Sequence, residues 1–455
     1  MSGMILRSVI AIGATVLLTT GVQAKSYAQL SSTEAQAAGA SPKAVTLNAT
    51  DAAKGITNAN GVVTISEAGT YFVIAAGQVG STTGGKGSVK LWMRLDGKDI
   101  DNSNAEQTVN GSSTAVLVCQ GVVEAKAGSK LELMFGASQS DQGLGLVVLK
   151  PKGEPTVPSM IFTAFQVDSA AYAQLSSSKS QPAAETPTAI AMSSTDAAKG
   201  LTNANGVVTI SEAGTYFVIA ASQVGATTEG GKGYVRLWMR VNGKDVDNSN
   251  TAQSVENGYT AALVSQGIIE AKAGDKIELM QASTGENVGI VASAPKNEPT
   301  IPSMIFTAFR VNANGYAQLS SSEAQPATAE PKAISMPGTD AAKGLTNANG
   351  VVTFPEAGVY FVIAAGQVGT IEDGKGSVRL WTRVDGKDVD NSNAEQSAPN
   401  KFTGVLISQG VFEAKAGSKL ELMQSGTGTG IGLVTRKPKG EPTVASMIFT
   451  AFKVN

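Results

Sequence analysis

The chain has 455 residues, a formal charge of −2 and no histidine. At about 100 to 200 residues per domain, that length points to two to four domains. The near-neutral balance leaves no summed positive field to hold a nucleic-acid backbone or an anionic membrane surface. Without histidine the chain lacks the usual general base near neutral pH and the commonest zinc ligand, which excludes most triad hydrolases and zinc enzymes. Charged residues make up only 16% while glycine numbers 51, a balance that suits the strands and tight turns of an extracellular β protein better than a helical one. Cys119 is the only cysteine, so no internal disulfide forms and stability must come from packing.

In chain order, a short positive region ending at Arg7 precedes the apolar stretch from Ser8 to Gly21 and the small-residue sequence Val22-Gln23-Ala24. This is the pattern of a secretory signal cleaved after Ala24, and it predicts a secreted or cell-surface protein beginning at Lys25. No later apolar run reaches about 18 residues, so no membrane span is expected in the mature chain.

The rest divides into three similar units. YAQLSS recurs at Tyr27, Tyr172 and Tyr316, and the same period of about 145 residues separates Trp92, Trp238 and Trp381. The near-identical SMIFTAF runs starting at Ser159, Ser303 and Ser446 keep that period too. A period this long means tandem domains, with boundaries at 25–168, 169–312 and 313–455 after the signal at 1–24. Within the first unit, strand-like runs occupy Gly61–Gly69, Tyr71–Val79, Val89–Ile100 with the turn pair Asp96-Gly97, Thr114–Ala125, Lys130–Phe135, Gly145–Leu149 and Ser159–Val167. The Ala/Ser/Pro/Glu-rich stretch Ser31–Ala44 lacks periodicity and is expected to be a surface loop. About eight short strands per unit with regular turns predict an all-β fold, a sandwich or barrel.

Two strands in each unit are apolar on both faces. In YFVIAAGQV the residues Tyr71, Val73 and Ala75 oppose Phe72, Ile74 and Ala76, and in SMIFTAFQV the residues Met160, Phe162 and Ala164 oppose Ile161, Thr163 and Phe165. A strand with no polar face must be covered twice, once by its partner sheet and once by another domain. Phe162, Phe165, Phe306, Phe309, Phe449 and Phe452 are therefore the expected inter-domain residues, with some of these rings able to fill each sandwich's own core. By contrast, Val89, Leu91, Met93 and Leu95 alternate with Lys90, Trp92 and Arg94, which predicts a half-exposed strand. Only four residues separate consecutive units, and five peptide steps reach at most about 17 Å, so the domains must be neighbours.

The Gly69-to-Phe72 step, the turn and strand KAGSKLEL (Lys126–Leu133), the closing SMIFTAF and the run LWMRLDGKDIDNSN (Leu91–Asn104) together resemble tumour-necrosis-factor-like jelly rolls. The similarity is to the branch of complement component 1q globular heads with its bacterial and phage relatives, and it covers nearly all of each unit. The resemblance implies a ten-stranded jelly roll, threefold assembly through the inner sheet, and binding rather than catalysis. In that family the first and last strands are adjacent and both chain ends lie near the threefold axis. Combined with the short linkers, this predicts an intrachain pseudo-threefold trimer, with exchange of domains between chains as its competitor.

Several motifs carry possible chemistry. GSTTGGKG (Gly80–Gly87) opens like a phosphate loop, but Gly87 stands where a Ser or Thr should hold magnesium and a strand follows instead of a helix, so it reads as a hairpin loop. DIDNSN (Asp99–Asn104) and its two counterparts have oxygen ligands but lack the glycine and distal glutamate of a calcium loop, which favours Asx turns and no metal. Trp92 with Arg94, Trp238 with Arg240 and Trp381 with Arg383 form a cation–aromatic face, open to two readings: a platform for a sugar or acidic side chain, or indole rings covered by guanidinium groups and packed between domains. Cys119, matched by Ser265 and Ser408, reads as a buried inert thiol.

The segments 105–113, 251–259 and 394–402 differ among units whose flanking strands barely change. Variable tips on a rigid scaffold predict three non-identical binding sites, with Tyr259 and Phe402 as exposed anchors. The functional expectation is a secreted, non-enzymatic recognition protein with no cofactor, presenting three heads to a protein or glycan surface ligand. The alternative is an architectural subunit of a surface layer, appendage or particle coat.

Overall fold

The computed structural model describes residues 26–39 and 41–454. The export signal expected at residues 1–24, with its cleavage point, lies outside them. All regular structure among the described residues is β, and no helix is long and apolar enough to cross a membrane. In unit 1, one sheet sets strand Gly69–Ser81 between Ala115–Ala125 on one side and Met160–Gln166 on the other, followed by Tyr27–Ser32 and Ala49–Lys54. The second sheet runs Ala105–Asn110, Lys86–Leu95, Lys130–Ala137, Val62–Ile65 and Ile56–Ala59. The same pairings recur in units 2 and 3. The all-β sandwich expected from the alternation is thus present, with more and shorter strands than the hydrophobic pattern marks. The Ser31–Ala44 stretch is not all surface loop: Ser31 and Ser32 end the buried strand Tyr27–Ser32, and two-residue strands Gln36–Ala37 and Lys43–Ala44 follow, with the Gln36 side chain bonding the Thr46 backbone in both directions.

Local chemistry explains the turns. Asp96 and Gly97 take φ of 50° and 78°, the left-handed pair that a two-residue hairpin requires. The Asp96 carboxylate accepts the Lys130 N–H and the Ser129 hydroxyl. Asp385 does the same with Lys419 and Ser418. In unit 2 the acid has changed sides: Asn242 stands at the turn, donates to Asp275 and accepts from the Lys276 N–H.

The strands apolar on both faces are covered on both. Even-numbered Met160, Phe162 and Ala164 join the interior of the unit 1 sandwich, while odd-numbered Phe165 turns outward to meet the other units. Phe72, Phe217 and Phe361 form a triangle with ring centroids 5.9 to 6.0 Å apart. Phe165, Phe309 and Phe452 form a second triangle, also 5.9 to 6.0 Å on a side. The triangles stack, with separations such as 5.1 Å between Phe72 and Phe309. Of the six inter-domain phenylalanines expected from sequence, Phe165, Phe309 and Phe452 occupy this cluster. Phe162, Phe306 and Phe449 instead lie across from Ala75, Ala220 and Ala364 in their own sheets, because strand alternation sends them to the opposite face. Strand Lys86–Leu95 also departs from expectation: Lys90 and Trp92 are buried, not exposed.

Polar groups line the same seams in a cyclic pattern. Thr163 places its hydroxyl between the side-chain amides of Gln29 in its own unit and Gln409 of unit 3. Thr307 does so between Gln174 and Gln120 of unit 1, and Thr450 between Gln318 and Gln266 of unit 2. Tyr27, Tyr172 and Tyr316 donate to Glu413, Glu124 and Glu270 of the neighbouring unit. Burial, then the hydrogen-bonded carboxylate, pushes each phenol up to about 12. Contacts between units 1 and 2, 2 and 3, and 3 and 1 are therefore homologous, and the third pair forms without a covalent link.

Candidate functional site

The tryptophan face is not a platform. Trp92, Trp238 and Trp381 are 1%, 0% and 0% exposed, so no sugar or acidic side chain reaches them. Trp238 packs against Met280 and Ala282, and its Nε1 donates to Asp245 at 2.9 Å, where Arg240 Nε also donates at 2.7 Å. Trp381, Arg383 and Asp388 repeat the arrangement. Burial pushes the Asp388 carboxyl up, but the hydrogen bonds from Arg383 and Trp381 outweigh it and hold it below the usual range. In unit 1, Arg94 alone meets Asp99 at 2.8 Å. This face closes because the neighbouring unit lies on it: Lys90 Nζ reaches Glu298 at 2.6 Å, Arg236 grips Glu441 through two bonds of 2.6 and 2.7 Å, and Arg379 reaches Glu154 at 2.9 Å.

The DxDNSN runs are brackets between units. Asn102, Asn248 and Asn391, each at positive φ, donate to Asp196, Asp340 and Asp51 of the next unit. Two residues on, Asn104, Asn250 and Asn393 donate to the carbonyls of Pro299, Pro442 and Pro155. Repeating Asn at both spacings therefore reflects a seam rather than an oxygen cage. Gly80–Gly87 is not the hairpin loop expected from sequence: strands Gly69–Ser81 and Lys86–Leu95 belong to different sheets, so this glycine-rich segment carries the chain from one sheet of the sandwich to the other. The Cys119 thiol, pushed up to about 12 by burial, donates to the Ser103 carbonyl. Ser265 and Ser408 donate to the equivalent carbonyls of Ser249 and Ser392, which explains why Cys and Ser interchange here.

The variable tips converge. Ser113, Tyr259 and Phe402 are equivalent, since the Thr that follows each faces Gly80, Gly225 and Gly369 of the central strand. Each tip leans on the preceding unit in the ring. The Tyr259 hydroxyl accepts a bond of 3.0 Å from Gln107 of unit 1. The end of the Phe402 ring and Gln253 Oε1 of unit 2 both crowd Gly404, where a Cβ would lie 2.6 Å from the ring and 2.7 Å from the oxygen, so a larger residue would have to displace one of them. At the third seam Thr114 N–H donates to Ser397 Oγ at 2.8 Å beside Gln396. All three tips open on a single cavity of about 1000 Å³ at the end opposite the phenylalanine cluster.

This corrects two expectations. Tyr259 and Phe402 are not exposed anchors: Phe402 is 7% exposed, and Tyr259 is half-buried with its phenol pushed up to about 12 by burial. The tips also build one shared basin instead of three separate sites, because closure of the ring brings them to one end. Nothing in the local sequence marks this convergence; the only signal was their divergence at equivalent positions.

No family model matches the chain, and no curated protein matches it in sequence. Among solved structures it is similar to the globular domain of zebrafish complement 1qA protein, at 11% identity and a TM-score of 0.21, over 32% of this chain and 99% of that one.

Proposed function

We propose that this is an extracytoplasmic, non-enzymatic recognition protein in which one chain is a complete pseudo-threefold trimer that engages a protein or glycan surface ligand through the basin of tips. The observation that carries this reading is the convergence of three divergent tips on one cavity while the seams beneath them repeat almost unchanged. Rigid scaffolds with variable loops are where binding concentrates. The architectural alternative needs surface left over for joining chains. Among the described residues the one exposed large hydrophobic side chain is Ile371, which is too little apolar surface to drive open-ended assembly.

Light scattering and small-angle scattering on the purified protein test the assembly: a compact particle of one chain supports it, and an extended profile or concentration-dependent polymers overturn it. A screen against glycans and extracellular-matrix proteins tests the recognition role, and intact-mass analysis of exported material tests cleavage after Ala24.

A further inference from the structure

The basin is lopsided. At the seam of units 1 and 2 the ring of Tyr259 lies against Gln107, and at the seam of units 2 and 3 the ring of Phe402 lies against Gln253. At the seam of units 3 and 1 the equivalent residue is Ser113, so the place beside Gln396 that a six-membered ring fills twice is left to the cavity. The wall there is built of hydroxyl and amide groups from Ser112, Ser113, Thr114, Gln396 and Ser397.

Charge is lopsided too. The lining holds Lys232, Lys375 and Lys401 against one carboxylate, Glu256. Glu256 lies 3.5 Å from Lys232, and among the described residues neither Lys375 nor Lys401 makes an ion pair. Glu372 and Asp373 lie just before Lys375 within strand Gly358–Val384 but do not line the basin. The two unpaired ammonium groups both belong to unit 3 and line the same basin as the open slot.

We infer that the basin is one asymmetric site per chain that takes an anionic oligosaccharide, with a pyranose ring in the slot beside Ser113 and its carboxylate or sulfate groups at Lys375 and Lys401. A pyranose has the size of the phenyl and phenol rings that occupy the other two slots. Its hydroxyl edge matches the serines, threonine and glutamine of the wall. The ammonium groups then select anionic over neutral sugars, as opposite charges in a partly enclosed cleft do. This rests on the recognition reading above and names its ligand class.

The test uses the full chain with a sulfated heparin-derived hexasaccharide, an oligogalacturonate of the same length and neutral cellohexaose, measured by calorimetry and native mass spectrometry. At least one anionic sugar should bind as a single molecule per chain, about tenfold or more tighter than cellohexaose. Ser113→Phe, which fills the slot with the residue unit 3 already carries, should abolish binding. Lys375→Gln/Lys401→Gln should weaken it about tenfold without moving the unfolding midpoint, which guards against a misfolded first variant. Three molecules per chain, equal affinity for the neutral sugar, or full binding by both variants would overturn the inference. Loss of a matrix-protein ligand in Ser113→Phe, with no sugar bound by the parent, overturns the saccharide while leaving recognition standing. No ligand of either kind overturns both.

Discussion

The two ends of the molecule are built on opposite principles. At the base, where the linkers Asp168–Ala171 and Asn312–Gly315 pass between units, six phenylalanines stack as two triangles and every unit contributes the same residues. At the apex the equivalent positions hold Ser113, Tyr259 and Phe402, and no two seams are alike. Identity at one end and divergence at the other show how the work is divided: the base fixes how the units sit, and the apex is free to differ because the base does not need it.

The comparison fails if the apex contributes to stability as much as the base. The triple variant Phe165→Ala/Phe309→Ala/Phe452→Ala should have the largest effect, since each truncation of a buried ring costs about 3–5 kcal/mol. We expect loss of the compact particle by small-angle scattering. Below it, Arg236→Ala strips the partner from Glu441, whose side chain is 2% exposed, and breaking a buried pair costs about 3–5 kcal/mol; urea unfolding measures it. Thr163→Val leaves the amides of Gln29 and Gln409 facing each other without a hydroxyl, at about 1–3 kcal/mol. At the apex, Tyr259→Phe removes one bond to Gln107 and should cost about 0.5–1.5 kcal/mol. A loss there as large as that of Arg236→Ala would end the distinction.

The smallest effects are pH-dependent and differ in sign. Burial raises the carboxyls of Asp51 and Asp340 at the seams, against the lowering hydrogen bonds from Asn391 and Asn248. Their folded forms hold protons more readily than the unfolded chain, so their contribution is full below the ordinary aspartate range and is lost as pH rises through the raised values. Asp96, Asp275 and Asp385 are lowered, first by backbone hydrogen bonds, and contribute above the ordinary range and lose that contribution as pH falls through the lowered values. Melting curves between about pH 7 and about pH 3 should show Asp51→Asn/Asp340→Asn removing a gain on acidification. Asp96→Asn/Asp385→Asn should remove a loss, and unit 2 already carries Asn242 at that turn.

Strand alternation and turn pairs made the β-sandwich legible, and the two-sided strands marked where covering was needed. Two kinds of residue misled. Lys90 and Trp92 read as part of a half-exposed face because the segment that covers them, carrying Glu298, lies more than two hundred residues away in the chain. Strand Tyr27–Ser32 went unmarked and Ala115–Ala125 gave no sign of a seam, because Gln29, Ser31 and Gln120 look like solvent-facing groups. They are buried, and the side-chain oxygens of Gln29 and Gln120 accept hydrogen bonds from threonines across the sheet or the seam. Burial of a hydrogen-bonded amide leaves no hydrophobic signature. The basin was legible only as variation, since convergence depends on ring closure and not on any local pattern.

The seam between units 3 and 1 repeats the contacts of the other two, yet no linker spans it. In the one-chain assembly proposed above, all three seams join parts of one polypeptide, so closing the ring is a first-order event, driven by an effective concentration that short linkers raise into the millimolar range. An assembly of three separate chains would fall apart on dilution by mass action; this one should keep its integrity at any concentration, however sparse the protein is where it works. The same tethering means that each substitution is written once rather than three times, so one seam can be altered without touching the other two.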